Sequence, residues 1–208
     1  VCTRACRFCA VQHGPQGQEI DSGEAGRVAA AVRKLSLRYV VLTSVDRDDL
    51  PDGGSTAFCD AVRAVKRMSS ETRVEVLVPD FGGDVRSLAR ILSSGADVLG
   101  HNVETVRRIS PALRDRRASY ERSLEVLGTL RRGSDGRPVK SGLMLGLGEE
   151  PDEVRETFAD LRRVGVSSLT LGQYLAPSSR AAPVRRYIPP EEFEELARIR
   201  GYTGWRMT

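Results

Sequence analysis

Short apolar runs and longer amphipathic stretches alternate along this chain, and this alternation restricts its fold more than any other feature. Between the runs, apolar residues recur every three or four positions, which is the spacing of one helix face. Strands that alternate with helices pair in parallel, because each helix is the crossover that a parallel pair requires. The sequence therefore predicts an α/β fold built of parallel βα units. The apolar, β-branched runs lie at 38–43, 74–78, 97–99, 139–147 and 168–174.

The first of these units gives two specific expectations. Val28, Val32 and Leu35 are spaced to lie on one face of a helix over residues 24–35. Residues 38–43 form a continuous apolar run that leads into a polar loop. Such a run is typical of a strand that is buried on both faces. We expect a buried strand here.

Polar residues follow the ends of the apolar runs. Parallel strands bring their carboxyl ends to one edge of the fold, where sites collect in α/β proteins. A polar group after one strand can arise by chance, but its recurrence along the same edge predicts the rim of a site. The rim residues predicted in this way are Asp46, Asp80, Asn102, Glu104, Glu149 and Gln173.

Three of the four cysteines, Cys2, Cys6 and Cys9, stand at the start of the chain. Three thiolates on one short loop cannot pair off as disulfides, and soft thiolates suit iron or zinc. With His13 as a fourth ligand they would make a closed zinc site; without it they would hold a 4Fe–4S cluster with one open iron. The spacing alone favours neither, whereas the predicted rim favours a catalytic cluster. Cys59 is expected to be a buried apolar residue.

The composition indicates the setting of the protein. A chain of 208 residues, 40% of them hydrophobic, is long enough for one domain with a full core. No apolar run approaches membrane-spanning length and no signal peptide is visible, so we expect no membrane partner. The net charge of +4 comes from arginines interspersed with acids, which is typical of a solvated surface, and we expect no nucleic-acid partner. Clustered cysteines in a cysteine-poor chain predict a reducing, cytoplasmic location.

Five longer motifs accompany the cysteines. In their order along the chain they resemble the lipoyl synthase family of the radical S-adenosylmethionine superfamily. The resemblance implies a partial (βα) TIM-like barrel of the radical S-adenosylmethionine type, and we expect its first strand to be missing from these residues. The motifs occupy residues 43–50, 75–81, 101–105, 140–149 and 172–175.

The resemblance also implies a reaction and its partners. Lipoyl synthases insert two sulfur atoms into the octanoyl chain of an octanoylated lipoyl domain or of an H-type carrier protein of glycine cleavage. Cys2, Cys6 and Cys9 would ligate a 4Fe–4S cluster whose open iron binds S-adenosylmethionine. An electron from a donor such as ferredoxin or flavodoxin would then cleave S-adenosylmethionine to a radical that abstracts hydrogen. The alternative is a radical S-adenosylmethionine enzyme of another reaction type.

The same resemblance implies roles for residues at the strand ends. It places Thr43, Ser44 and Asp46 near the methionine amino group of S-adenosylmethionine, and Asn102 and Glu104 near its ribose hydroxyls. Lys140 is expected to meet the methionine carboxylate, and the backbone of two glycines to admit the adenosine. The complete set of expected cofactor-binding residues is Thr43, Ser44, Asp46, Asn102, Glu104, Lys140, Gly146, Gly148 and Gln173.

Two departures from the family pattern bear on the sulfur source. Lipoyl synthases carry an auxiliary 4Fe–4S cluster whose cysteines lie upstream of the radical triad and whose last ligand is a serine near the C-terminus. Neither element is present in these residues. We therefore expect residues 1–208 to be the radical S-adenosylmethionine core domain of a longer protein, without the auxiliary-cluster segment and the C-terminal tail.

Overall fold

The computed structural model describes residues 1–199, and a parallel sheet of five strands forms its centre. The order of the strands in the sheet is their order along the chain, and every neighbouring pair is parallel. This confirms the predicted α/β fold, a partial TIM-like barrel. The strands are β1 (Tyr39–Thr43), β2 (Arg73–Leu77), β3 (Val98–Gly100), β4 (Val139–Leu145) and β5 (Ser168–Gln173).

Helices precede the first strand, join the strands and follow the last one. Several begin at a side chain that accepts a free backbone N–H of the first turn. Asp84 accepts from Ser87 N at 2.9 Å, and Ser119 accepts from Arg122 N at 3.1 Å. The helices are α1 (Glu24–Lys34), α2 (Ser55–Met68), α3 (Val85–Leu92), α4 (Ser110–Leu113), α5 (Tyr120–Arg132), α6 (Pro151–Arg163) and α7 (Pro190–Ala197).

One face of the sheet packs against the helices and forms the core. Val74 and Val76 of β2 are fully buried and belong to the same apolar cluster as Val62 and Val65 of α2. Along β4 burial alternates residue by residue, so that the other face of the sheet remains partly open. That second face carries polar side chains, among them Glu75 of β2 and Lys140 of β4.

Strand β1 differs from the expectation of a buried strand. Tyr39 and Val41 are 45% and 46% exposed, because β1 is the edge strand of the sheet. Within residues 1–199, only β2 pairs with it. Leu35 is 66% exposed, since α1 ends at Lys34 and Leu35 turns away from the helix face that was predicted to include it.

None of the described helices combines the length and hydropathy needed to cross a membrane.

Helix α7 ends at Ala197, and residues 200–208 lie outside the described part of the chain. The expectation about the C-terminal tail concerns those residues.

The core makes a stability prediction that a matched pair of leucines can test. Leu130 of α5 is fully buried, whereas Leu35 is largely exposed. Leu130→Ala should lower the free energy of unfolding by about 2–5 kcal/mol, because a cavity adds to the lost burial. Leu35→Ala should change it by less than about 0.5 kcal/mol. Urea unfolding followed by circular dichroism measures both, and equal losses would contradict the assignment of the core.

Candidate cluster and cofactor site

The cysteines lie on a loop that closes on its own backbone. Cys2 N donates to Gln12 O at 2.8 Å and Gly14 N donates to Cys2 O at 3.0 Å, so the two ends of the loop run side by side. Within the loop, Cys9 N donates to Cys6 O at 3.1 Å. The three thiols are therefore presented from one small folded unit.

Each thiol of this loop is free and accepts a backbone N–H. Thiolate ligands of iron–sulfur clusters are stabilised by such hydrogen bonds, which also influence the reduction potential. The donor set and its hydrogen bonds therefore fit a 4Fe–4S cluster. The pairs are Arg4 N with Cys2 Sγ, Val11 N with Cys9 Sγ and Asp115 N with Cys6 Sγ, each at 3.4 Å.

A zinc site with His13 is not preformed. Zinc gathers its ligands at 2.0–2.3 Å around one ion. Within residues 1–199, no three His, Cys, Asp or Glu side chains are arranged to hold a single metal ion. A cluster requires no such convergence, since each thiolate binds a different iron.

Arg4 anchors the cysteine loop to the ends of two strands. Its side chain is 3% exposed, and its guanidinium binds Asp48 at 2.8 and 3.0 Å and Asp80 at 2.6 and 2.8 Å. Asp46 lies 3.2 Å from the same guanidinium. Asp46 and Asp48 follow β1, and Asp80 follows β2. Arg4, which stands between Cys2 and Cys6 in the sequence, thus fixes the cysteine loop on the predicted rim.

The charges of this anchor shift one another's pKa values. Burial opposes the charge of Arg4, but the hydrogen bonds that it donates to Asp80 and Asp48 outweigh this effect and raise the pKa of Arg4. The Arg4 hydrogen bond lowers the pKa of Asp48. Burial raises the pKa of Asp46 to about 6, although Arg4 opposes this shift. The anchor therefore holds one full positive charge among three carboxylates.

A second segment, residues 113–117, holds the loop from the other side. Arg7 N donates to Leu113 O at 2.7 Å, and Ala5 N donates to the Asp115 carboxylate at 3.1 Å. Arg117 donates to the backbone oxygen of Thr3. Cys6 lies between these contacts, and its Sγ accepts from Asp115 N. Sequence reasoning missed this segment, because nothing local marks a loop after a one-turn helix as a partner of residues 3–7.

Three of the expected cofactor-binding residues, Thr43, Ser44 and Asp46, lie at the end of β1. The hydroxyl of Thr43 donates to Leu77 O at 3.0 Å, which ties the end of β1 to β2. Ser44 is exposed, and its hydroxyl donates to the next carbonyl along the chain. Asp46 lies 4.0 Å from Cys2 Sγ. The structure thus brings Asp46 to the cluster loop and leaves Thr43 and Ser44 beside it.

Asn102 and Glu104 follow β3 and lie close to one another. Glu104 has a positive φ of 67°, a strained conformation that is common at functional sites. Its backbone joins the sheet next to Leu143. Burial raises the pKa of Glu104, against the opposing effects of the Arg114 charge and the Asn102 hydrogen bond. Arg114 also acts on the pKa of Asp46, so this arginine, which the sequence did not indicate, links the two strand ends.

Lys140 is not at the rim of its own strand. It is the second residue of β4, in register with Gly100 of β3. Its ammonium binds the Glu75 carboxylate at 3.0 and 3.1 Å, and Glu75 is 2% exposed and also accepts from the Tyr39 hydroxyl. The structure therefore pairs Lys140 with a carboxylate of this chain on the open face of the sheet, apart from Asp46 and Glu104.

Gly146, Gly148 and Gln173 lie at the ends of β4 and β5, where they hold the segment 182–188. Gly146 has a φ of 98°, and a Cβ there would lie 2.4 Å from Arg186 O. The Gln173 amide donates to Arg186 O at 3.2 Å and accepts from Ile188 N at 2.8 Å. This part of the rim is thus closely covered by the chain itself.

A test of the anchor follows from the burial of Arg4. Arg4→Met would leave three carboxylates facing one another, and we expect a loss of about 3–5 kcal/mol in the free energy of unfolding. Arg7→Met, at an exposed arginine of the same loop, should change it by less than about 0.5 kcal/mol. Urea unfolding of the cluster-free proteins at pH 7 gives both values. Equal stability of the two variants would show that Arg4 does not anchor the loop.

His101 makes a pH prediction. Burial lowers its pKa to about 4, from about 6.5 in an unfolded chain. As pH falls from 6.5 to 4, the unfolded chain binds a proton that the folded chain excludes, so the contribution of His101 to stability should fall by up to roughly 3 kcal/mol. Asp46, whose pKa burial raises to about 6, acts in the opposite direction over part of this range. Wild type should therefore lose stability relative to His101→Gln as pH falls, whereas His13→Gln, at an exposed histidine, should follow wild type. Chemical unfolding across this pH range measures the difference, and a difference between wild type and His101→Gln that does not change with pH would refute the prediction.

Comparisons with known sequences point to one family. The family model of the Radical SAM superfamily matches residues 1–161. A lipoyl synthase from Pyrobaculum calidifontis is 55% identical over 99% of this chain and 71% of its own length. A lipoyl synthase from Methanocella arvoryzae is 50% identical over 99% of this chain and 69% of its own length.

Solved structures share the fold at low identity. The FeFe-hydrogenase maturase HydG from Carboxydothermus hydrogenoformans has a TM-score of 0.74 at 12% identity, over 94% of this chain and 47% of its own. Streptococcus suis SuiB bound to S-adenosylmethionine has a TM-score of 0.73 at 7% identity, over 100% of this chain and 48% of its own. At these identities the likeness concerns the fold alone.

The sequence comparisons confirm the expected enzyme class, a radical S-adenosylmethionine enzyme that inserts sulfur. The family implies a 4Fe–4S cluster and S-adenosylmethionine as cofactors and an octanoylated lipoyl carrier as substrate. The chain therefore belongs to the lipoyl synthase family of the Radical SAM superfamily.

Proposed function

We propose that Cys2, Cys6 and Cys9 hold the 4Fe–4S cluster on which lipoyl synthesis by this protein depends. The observation that carries the proposal is that all three thiols accept backbone N–H groups on a loop fixed to the strand ends. A loop of this kind places its metal where the site residues of a βα fold gather. His13 remains outside the ligand set, which leaves one iron open for S-adenosylmethionine.

The chemistry that the two cofactors supply is one-electron cleavage of S-adenosylmethionine and abstraction of hydrogen from an unactivated carbon. The chain supplies binding, orientation and exclusion of water. We assign the methionine amino group to Asp46, whose carboxylate lies beside Cys2, with Thr43 and Ser44 next to it. Asp46 suits this role because a carboxylate accepts hydrogen bonds from an ammonium.

We assign the ribose hydroxyls to Asn102 and Glu104. A Cβ on Gly142 would lie 2.7 Å from the Asn102 side-chain oxygen, so the bare glycine makes room for the amide at this position. The strained backbone of Glu104 fixes the direction of its carboxylate. Both side chains therefore present oriented oxygens at the end of β3.

The remaining expected residues receive more indirect roles. Gly146 and Gly148 keep their place as the backbone that admits the adenosine, and Gln173 supports that place by holding the segment 182–188. Lys140 keeps its assignment to the methionine carboxylate only if it leaves Glu75. The ion pair with Glu75 gives better support to a structural role for Lys140 on the open face of the sheet.

The sulfur donor of the reaction lies outside these residues in our proposal. Cys59 is the one further cysteine of the sequence. It is 3% exposed, and its Sγ lies 3.2 Å from Arg90 O on α3, so it cannot ligate an auxiliary 4Fe–4S cluster. Residues 1–208 thus act as the radical-generating core domain, and the auxiliary cluster is held by other segments of the full-length protein.

The partners follow from the same reaction. We propose an octanoylated lipoyl domain or a glycine-cleavage H-type carrier protein as substrate, and ferredoxin or flavodoxin as electron donor. We also propose a cytoplasmic location, which is supported by three free thiols that must stay reduced. Neither a nucleic acid nor a membrane has a part in this scheme.

Matched cysteine and histidine variants of the full-length protein test the proposal. Cys6→Ala should abolish iron binding at this loop and with it S-adenosylmethionine cleavage, because two thiolates cannot hold the cluster. Cys59→Ala and His13→Ala should keep both. The measurements are iron content, release of 5′-deoxyadenosine and mass spectrometry of an octanoylated carrier peptide, in which two inserted sulfurs mark the product.

Two results would contradict the proposal. Cleavage of S-adenosylmethionine by Cys6→Ala at the wild-type rate would remove the triad from the mechanism. If the wild-type protein contains zinc instead of iron, and His13→Ala loses that zinc, the closed zinc site would be favoured instead.

A further inference from the structure

A chain of hydrogen bonds runs behind the rim, through His101, Ser123 and Arg114. His101 Nδ1 lies 2.8 Å from Val78 O, and His101 Nε2 lies 3.0 Å from Ser123 Oγ. A carbonyl only accepts, so Nδ1 carries the proton, and Nε2 accepts the hydroxyl hydrogen of Ser123. The Ser123 oxygen in turn accepts from Arg114 Nη1 at 2.8 Å. The direction of every hydrogen bond in the chain is thereby fixed.

The chain is buried and its histidine is neutral. His101 is 4% exposed and Ser123 is fully buried. Burial lowers the pKa of His101 to about 4, so at pH 7 its Nε2 is free to accept. A neutral support carries no charge that could offset the charge of Arg114.

Arg114 itself lies between the cluster loop and the end of β3. The residues on either side of it hold the loop, since Leu113 O accepts from Arg7 N and Asp115 N donates to Cys6 Sγ. Its guanidinium is held by Val103 O, Ser119 O and Ser123 Oγ. A cation is thus carried by the residue next to the N–H donor of Cys6, one of the three proposed cluster ligands.

The charge of Arg114 is not cancelled by a carboxylate in direct contact. Arg4 and Arg117, two other arginines at the loop, form ion pairs with aspartates. The hydrogen-bond partners of Arg114 within residues 1–199 are neutral: the carbonyls of Val103 and Ser119, and the Ser123 hydroxyl. Its Nε is buried and, among the described residues, has no hydrogen-bond acceptor.

We propose that Arg114 raises the reduction potential of the 4Fe–4S cluster, and that His101 and Ser123 are positioning residues that keep its guanidinium in place next to the segment that binds Cys6. The inference rests on the proposed function, because it presumes a cluster on the triad. Reduction moves one electron from the donor to the cluster and adds one negative charge there. A nearby positive charge stabilises that reduced form more than the oxidised form.

Redox titration of the reconstituted full-length protein tests the inference. Electron paramagnetic resonance reports the reduced fraction of the cluster whose signal changes when S-adenosylmethionine is added. We expect Arg114→Gln to lower the ratio of reduced to oxidised cluster about tenfold at a fixed solution potential, a shift of about 59 mV for a one-electron couple. Arg116→Gln is the matched control, because it removes the same charge from an exposed position of the same segment.

The support is tested in the same titration. Ser123→Ala should shift the potential in the same direction as Arg114→Gln but by less, because the guanidinium keeps its charge and loses its fixed place. Ser123→Ala added to Arg114→Gln should cause no further shift. In the cluster-free protein, nitrogen NMR should show His101 as the neutral Nδ1–H tautomer at pH 7.

Every other outcome contradicts either this inference or the proposed function on which it rests. Equal shifts in Arg114→Gln and Arg116→Gln would reduce the effect to net charge, and additive shifts would separate Ser123 from Arg114. Loss of the cluster in a folded Arg114→Gln variant, or weaker S-adenosylmethionine binding with an unchanged potential, would give Arg114 another role. A wild-type protein without a 4Fe–4S cluster would instead refute the proposed function, while an Nε2–H tautomer of His101 would refute the support alone.

Discussion

The buried ion cluster around Arg4 is the interaction on which the site depends. Its guanidinium uses both edges, one for Asp48 and one for Asp80, and Asp46 lies against it. A buried arginine is tolerated only with such complete pairing, because an unpaired charge in the interior is costly. Arg4 stands between Cys2 and Cys6 in the sequence, so the requirement to pair this one charge also determines where the cluster loop lies. The two strand ends that supply the carboxylates become the floor of the site.

Much of the fold was readable from the sequence because its signals are local. The alternation of strands and helices predicted a parallel sheet, and the five apolar runs correspond to β1–β5. The triad and the polar strand ends predicted a site on one edge, and the structure brings Asp46 and Asp80 to Arg4 of the cysteine loop. Strand β1 was wrongly expected to be buried, because an apolar run does not reveal that its strand lies at the edge of the sheet.

The parts that sequence reasoning missed depend on long-range contacts. Nothing in the sequence around Arg114 distinguishes it from the other arginines of this chain. Only the fold brings it close to Glu104 and next to the backbone N–H that binds Cys6. Lys140 carried a motif assignment, yet its partner Glu75 lies on another strand, and no spacing along the chain reports their contact. His101 had the appearance of one more polar strand end, whereas it is a buried support whose two partners lie 23 and 22 residues away.

The order of the strands in the sheet has a consequence for how the protein matures. Each strand pairs with the strand before it in the chain, so the sheet can grow one βα unit at a time through contacts of modest sequence separation. The cysteine loop differs, because its partners are far away in the sequence. They include Asp48, Asp80, Leu113 and Ala182, whose backbone N donates to Arg7 O. The contacts that fix this loop therefore form only when the later βα units are in place. Iron that arrives before then meets three thiols of which Cys6 still lacks its donor, Asp115 N, so we expect assembly of the metal centre to be a late event that reports on correct folding.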